Sequence, residues 1–240
     1  MDGLIAQGLC KRYASGPERF FQALDNVTLT LEPNAFIALI GESGSGKSTL
    51  ARLICGLERP DSGRILVDGE DSANWCERDW RKRRGKIQAV FQDAGGTLNP
   101  RLSVRGNVEE AMINLTDLSA KQRQKRIVQL MEMTHMDTHL LKVPVRQLSG
   151  GEQRRLSLLR AMSIQPKYLV LDEVLSGLDL ISANAVMMVL EQYQQELNGA
   201  VLLITHDMDS AYRLADQILV MQSGRIVQSG RKQQREDKKR

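Results

Sequence analysis

The sequence predicts an α/β fold, a mainly parallel sheet interrupted by a helical lobe, and three observations predict it. Short runs that are apolar at nearly every position recur at 35–40, 168–171 and 201–205, a pattern of strands covered on both faces. Helical patterns at 179–197 and 208–215 separate the later strands. From about residue 93 to residue 164 the helical pattern displaces strands almost entirely.

Taken in order, residues 4–9 and 27–31 alternate as strands, and 35–40 is buried strand. Residues 48–57 read as a helix that stops at Gly56 and the turn Pro60-Asp61-Ser62-Gly63, because glycine and proline leave helical geometry readily. Strands follow at 64–68 and 87–91, and within the helical stretch 120–134 is the clearest amphipathic segment. The strands at 168–171, 201–205 and 218–221 complete the sheet, and no internal repeat is visible.

A chain of 240 residues with 42% hydrophobic but only 4% aromatic residues builds an aliphatic core. Its formal charge of +4 does not point to nucleic acid. The last ten residues carry six Lys/Arg and two Asp/Glu, which leaves 27 of each sign in the rest of the chain. Segment 231–240 is therefore expected to be a basic, disordered tail. Cys10, Cys55 and Cys76 are odd in number and far apart, which disfavours a disulfide framework or a structural zinc site and suits a reducing cytosol. Residues 1–11 lack the basic-then-apolar order of a secretion signal, and no apolar run approaches the ~18 residues of a membrane span.

Three motifs carry chemistry. Gly41-Glu42-Ser43-Gly44-Ser45-Gly46-Lys47-Ser48, followed by Thr49, fits GxxxxGK[ST] between a strand and a helix. Its glycines let successive N–H groups converge on phosphate oxygens, and the helix N-terminus adds roughly half a positive charge. Lys47 then reaches the β- and γ-phosphates and Ser48 ligates Mg²⁺. Residues 168–173 form an aliphatic strand that ends abruptly in Asp172 and Glu173. Asp172 suits Mg²⁺, and Glu173 suits orienting or deprotonating an attacking water. Ser149-Gly150-Gly151-Glu152 reads as a capping box, Ser149 as N-cap with Glu152 three residues on. A capped helix start with two glycines is also a second phosphate-binding surface.

With these three motifs in this order the chain closely resembles the ATP-binding-cassette ATPases, over about residues 4–230. The resemblance implies one ATPase domain with a P-loop NTPase core, 1–92 and 165–230, an N-terminal antiparallel β part and a helical subdomain at 93–164. It implies ATP and Mg²⁺ as ligands. By the same resemblance Tyr13 stacks on adenine, Gln92 contacts Mg²⁺ and the attacking water, and His206 contacts the γ-phosphate. Asp179 lies in the loop that communicates between subunits, and Ser149 to Glu152 close over the ATP of a second cassette. Catalysis is expected from Glu173, His206, Gln92 and Lys47, with Ser48, Gln92 and Asp172 as metal ligands.

Segment 97–104, TLNPRLSV, is similar to the NPR segment of ATPases in the dipeptide, oligopeptide and nickel importer group. Val174-Leu175 replaces that group's usual Pro-Thr, and the C-terminal extension common in the peptide members is expected to be absent or reduced to the basic tail; both departures resemble the second ATPase of nickel or metal-chelate importers. The resemblance implies permease subunits in the membrane, a second, different ATPase subunit, an external binding protein and a place on the cytoplasmic face of the plasma membrane. The alternatives are the same role in a peptide importer, or a soluble cassette ATPase outside transport. The Met- and His-rich segment 131–139 reads as core packing plus a polar turn and not as a nickel site.

Overall fold

The computed structural model describes residues 2–16, 19–92, 97–178, 180–197 and 199–231. Five strands run parallel in the central sheet: β3 (Phe36–Ile40), β6 (Ile87–Val90), β7 (Tyr168–Asp172), β8 (Ala200–Thr205) and β9 (Gln217–Gln222). With β10 (Arg225–Arg231) antiparallel at one edge, the spatial order is β10-β9-β3-β8-β7-β6. A second, antiparallel sheet has the order β2-β1-β4-β5, from β1 (Leu4–Gly16), β2 (Arg19–Leu31), β4 (Ser62–Val67) and β5 (Glu70–Asp71).

Strand periodicity divides the core in two. Phe36, Ala38 and Ile40 of β3 face one hydrophobic cluster, and Ile37 and Leu39 face the other. The same alternation holds along β7, with Leu169 and Leu171 on the first side and Tyr168 and Val170 on the second. On the second side the antiparallel sheet and α1 (Lys47–Ile54) cover the strands through Leu4, Leu29, Leu50 and Leu53. On the first side lie α3 (Val104–Leu115), α4 (Ala120–Met133), α5 (Gly150–Met162), α6 (Leu180–Leu197) and α7 (Met208–Leu214). Every residue of β3, β7 and β8 is buried as a result, which is why these runs are apolar up to their last residues, Asp172 and Thr205 being the polar ends of β7 and β8.

The strands expected at 4–9 and 27–31 extend to thirteen residues each, because they pair as one long hairpin whose polar positions face outward. The short α2 (Glu77–Arg83) and β10 are additions to the expected elements. Helix α2 is strongly charged, and β10 is nearly all exposed and is formed by pairing with β9. Met131 and Met136 of the 131–139 segment are buried in the core, while His139 pairs with Asp137 at 2.7 Å on the surface.

Residue Asp68, at a turn after β4, joins the two sheets. It accepts hydrogen bonds from Lys86 (3.1 Å), Lys167 (2.6 Å) and the Tyr168 hydroxyl (2.6 Å). Burial alone would raise its pKa, but these three donors outweigh it and hold the carboxyl down at about 2.

Candidate active site

The loop between β3 and α1 folds back on itself around Lys47. This side chain opens α1 and is only 6% exposed. Its amine donates to the carbonyls of Gly41 and Glu42, both at 2.8 Å, and more weakly to Ser45 Oγ at 3.4 Å. Burial lowers its pKa, and the nearby charges of Glu173 and Asp172 act in the opposite sense. Gly46 caps α1 at φ +108 without any side-chain acceptor. A Cβ there would sit 2.3 Å from the carbonyl oxygen of Ala23, so no other residue fits. Glu42 and Ser43 are exposed, Ser45 is buried and its carbonyl accepts from Gly224 N at 2.9 Å, and buried Thr49 accepts from Arg52 at 3.3 Å.

Strand β7 delivers two carboxylates beside this loop. Asp172 is 4% exposed and hydrogen-bonds to Ser48. Its Oδ1 is buried without a hydrogen-bond partner. Burial pushes its pKa up, the Ser48 bond acts against this, and the charge of Glu173 adds to it. An unpartnered buried carboxylate oxygen next to a serine hydroxyl suits a small hard cation with oxygen ligands. Glu173 stands at φ +55, in the left-handed region that non-glycine residues rarely adopt. The strained conformation turns its side chain toward His206 at the end of β8, with Oε2 to Nδ1 at 2.8 Å.

These groups share one cleft of about 450 Å³, lined by Gly41, Ser43, Gly44, Gly46 to Thr49, Gln92, Glu173, Ser176 and His206. Phe21, half exposed, also lines it. Tyr13 does not appear on the lining. Its hydroxyl donates to Glu58, and it lies opposite Phe21 across the β1–β2 pair. Sequence reading passed over Phe21, because an aromatic in a strand is ordinary until the fold sets it against a glycine loop.

Residues Ser149 to Glu152 lie away from this cleft, at the start of α5. Ser149 Oγ accepts from Glu152 N at 3.3 Å, and Ser149 N donates to Glu152 Oε2 at 2.8 Å, so the capping box is formed. Hydrogen bonds from Ser149 hold the Glu152 carboxyl below its usual range. A Cβ at Gly150 would meet nothing within 4 Å, and one at Gly151 would meet only Ser182 Oγ at 3.7 Å. Nothing among the described residues requires glycine at either place. Asp179, and residues 232–240 of the basic tail, lie outside the described residues.

A buried parallel strand, a glycine loop closing on a lysine at a helix start, and a second buried strand of the same sheet leading into two carboxylates define a P-loop nucleotide-binding cassette. The family model of ABC transporters matches residues 24–176, and the chain belongs to that family. It is 38% identical over 230 residues to the nickel import ATP-binding protein NikE of Escherichia coli (strain K12), covering 94% of this chain and 86% of the relative. The protein of the same name from Shigella boydii serotype 4 (strain Sb227) is 39% identical over the same shares. Among solved structures, a dimeric ATP-binding cassette, MJ0796, in a post-hydrolysis state bound to ADP and Pi, superposes with a TM-score of 0.86. It shows 28% identity, over 95% of this chain and 98% of that one. The protein cbiO1 from Clostridium perfringens, part of the ABC transporter complex cbiONQ, gives a TM-score of 0.83 and 30% identity over 96% and 89%. No helix among the described residues is long and apolar enough to cross a membrane.

Proposed function

We propose that this chain is the ATP-hydrolysing subunit of an importer for nickel or a metal chelate, working on the cytoplasmic face of the membrane against permease subunits. The observation that carries the ATPase reading is the convergence of Lys47, Ser48, Glu173 and His206 on one cleft, with Asp172 buried beside Lys47 and Ser48. The likeness to nickel import ATP-binding proteins over 94% of the chain supports the cargo. In this reading 1–92 and 165–230 form the nucleotide-binding core, and 93–164 is the lobe that meets the membrane partner.

Lys47 leaves its own loop carbonyls and pairs with the β- and γ-phosphates, an exchange favoured because a buried ammonium is paired poorly by neutral oxygens. Ser48, Asp172 and Gln92 would hold Mg²⁺, which neutralises triphosphate charge when bound. Glu173 accepts the proton of the water whose oxygen attacks the γ-phosphorus as the bond to the bridging oxygen breaks. His206 steers that carboxylate and contacts the γ-phosphate from beside it. Residues Gly41 to Thr49 supply main-chain N–H groups, and Phe21 or Tyr13 supplies a face for the adenine.

Ser149, Gly150, Gly151 and Glu152 complete the site of a second cassette. Two glycines that no neighbour among the described residues demands support this, as do Leu180 and Ile181, which stand exposed at the start of α6. The second cassette is a different ATPase subunit, Asp179 lies at the contact between the two, and an external binding protein delivers the cargo. The test is uptake of labelled nickel and labelled dipeptide in cells that lack the chain. Loss of nickel uptake alone supports the reading; loss of dipeptide uptake alone overturns the cargo. A tagged chain recovered without any integral-membrane companion overturns transport itself.

A further inference from the structure

Arg154 takes no part in the hydrolysis steps proposed for the cleft, and its position is unusual. It lies in α5 five residues beyond the cap Ser149, yet its guanidinium reaches out of the helix to three main-chain carbonyls on two other loops. One nitrogen, Nη1, donates to Val174 O at 3.3 Å and to Ser176 O, and Nη2 donates to Gln92 O at 3.2 Å. Val174 directly follows Glu173, and both Ser176 and Gln92 line the nucleotide cleft. The loops leave the neighbouring parallel strands β6 and β7 at their carboxyl ends, so a single planar fork spans the gap between them.

We propose that Arg154 is a positioning residue that fixes the Gln92 and Glu173 loops relative to each other and to the Ser149 segment of the same chain. The inference rests on the functional reading above, in which the cleft and the Ser149 segment serve two different nucleotides. One chain then contributes half of each site, and Arg154 is a direct side-chain link between its halves. Arginine suits the task because its five donors lie in a rigid plane that can serve several acceptors at once. A lysine, as a point charge on a flexible stem, holds one or two of them. Because the three carbonyls sit where the side chain is only partly buried, water replaces the lost donors in a truncated variant. Stability therefore suffers little, while the placement of the reacting groups suffers more.

The test compares Arg154→Ala, Arg154→Lys and Glu173→Gln in the importer complex purified through this chain, together with binding of a fluorescent ATP analogue to the full chain. Arg154→Ala is expected to lower kcat by about 10- to 100-fold, the range that misplacement of reacting groups by about an ångström produces. KM for ATP, analogue affinity and the thermal midpoint should remain close to those of the unaltered protein, and Arg154→Lys should fall between. Unchanged kcat in Arg154→Ala overturns the proposal. So does a joint loss of kcat, affinity and thermal midpoint, which would make Arg154 general scaffold. Undiminished turnover in Glu173→Gln would instead overturn the functional reading, whatever the Arg154 variants do.

Discussion

Replacing Glu173 by glutamine keeps the size of the side chain and removes one charge and one base. The backbone there is held by its own main chain, with Glu173 N donating to Ile204 O at 2.9 Å and Ser176 N to Glu173 O at 3.2 Å. The strained φ of +55 therefore does not depend on the carboxylate. His206 Nδ1, 2.8 Å from Oε2, can pair with an amide as donor or as acceptor according to its tautomer. Folding stability should thus change by about 1 kcal/mol or less. The charge of Glu173 raises the pKa of both Lys47 and Asp172. Its removal makes Asp172 easier to ionise and relieves repulsion against an incoming polyanion, so ATP binding should be retained or tightened. Hydrolysis loses its general base, a loss of roughly 10² to 10⁴ in rate. At 1.36 kcal/mol per decade that is about 3–5 kcal/mol of barrier. The assay is phosphate release at saturating ATP in the assembled complex, beside equilibrium binding of a fluorescent ATP analogue. Turnover within a factor of about three of the parent would refute the role of Glu173, and so would loss of ATP binding together with turnover.

Lys47→Ala should weaken ATP binding itself, since the ammonium that leaves the Gly41 and Glu42 carbonyls for the phosphates is gone; unchanged analogue affinity would contradict the loop's assignment. Mixing a Lys47 variant with a Ser149 variant restores one complete site if the chain self-pairs, and no rescue is expected if its partner is a different subunit. Asp68→Asn should lower stability at neutral pH. The depression of its carboxyl from 3.8 to about 2 bounds the loss at about 2 kcal/mol. Screening around half-exposed Lys86 reduces this to about 1 kcal/mol. Because the folded-state value is depressed, this stability is present above about pH 4 and lost as pH falls toward 2. Denaturant titrations of variant and parent should therefore converge across that window, and a constant difference from pH 7 to pH 2 would refute the linkage.

Much of the candidate site was legible along the chain because its parts are local. A glycine loop between strand and helix, a strand that stops at two acids, and a serine three residues ahead of a glutamate each announce their geometry within ten residues. The short strands at 4–9 and 27–31 were under-read for the opposite reason. Their outer halves show no strand alternation, with Arg19, Phe20 and Phe21 exposed in a row and Ala23 and Leu24 buried in a row, and only pairing along the hairpin makes them strand. Phe21 and Arg154 left no mark in the sequence, since a strand aromatic and a helix-surface arginine are ordinary residues until their neighbours are known.

By itself the sequence determined which segments form the buried strands of the central sheet, which turn grips an anion and which carboxylates follow a buried strand, because backbone freedom at glycine and apolar periodicity act over a few residues. Tertiary structure alone decided that Ser48 meets Asp172, that Glu173 meets His206, and that Arg154 meets the carbonyls of Gln92, Val174 and Ser176. Those contacts join positions 20 to 124 residues apart. They exist because parallel pairing of β3, β6, β7 and β8 brings the carboxyl ends of the strands to one edge of the sheet.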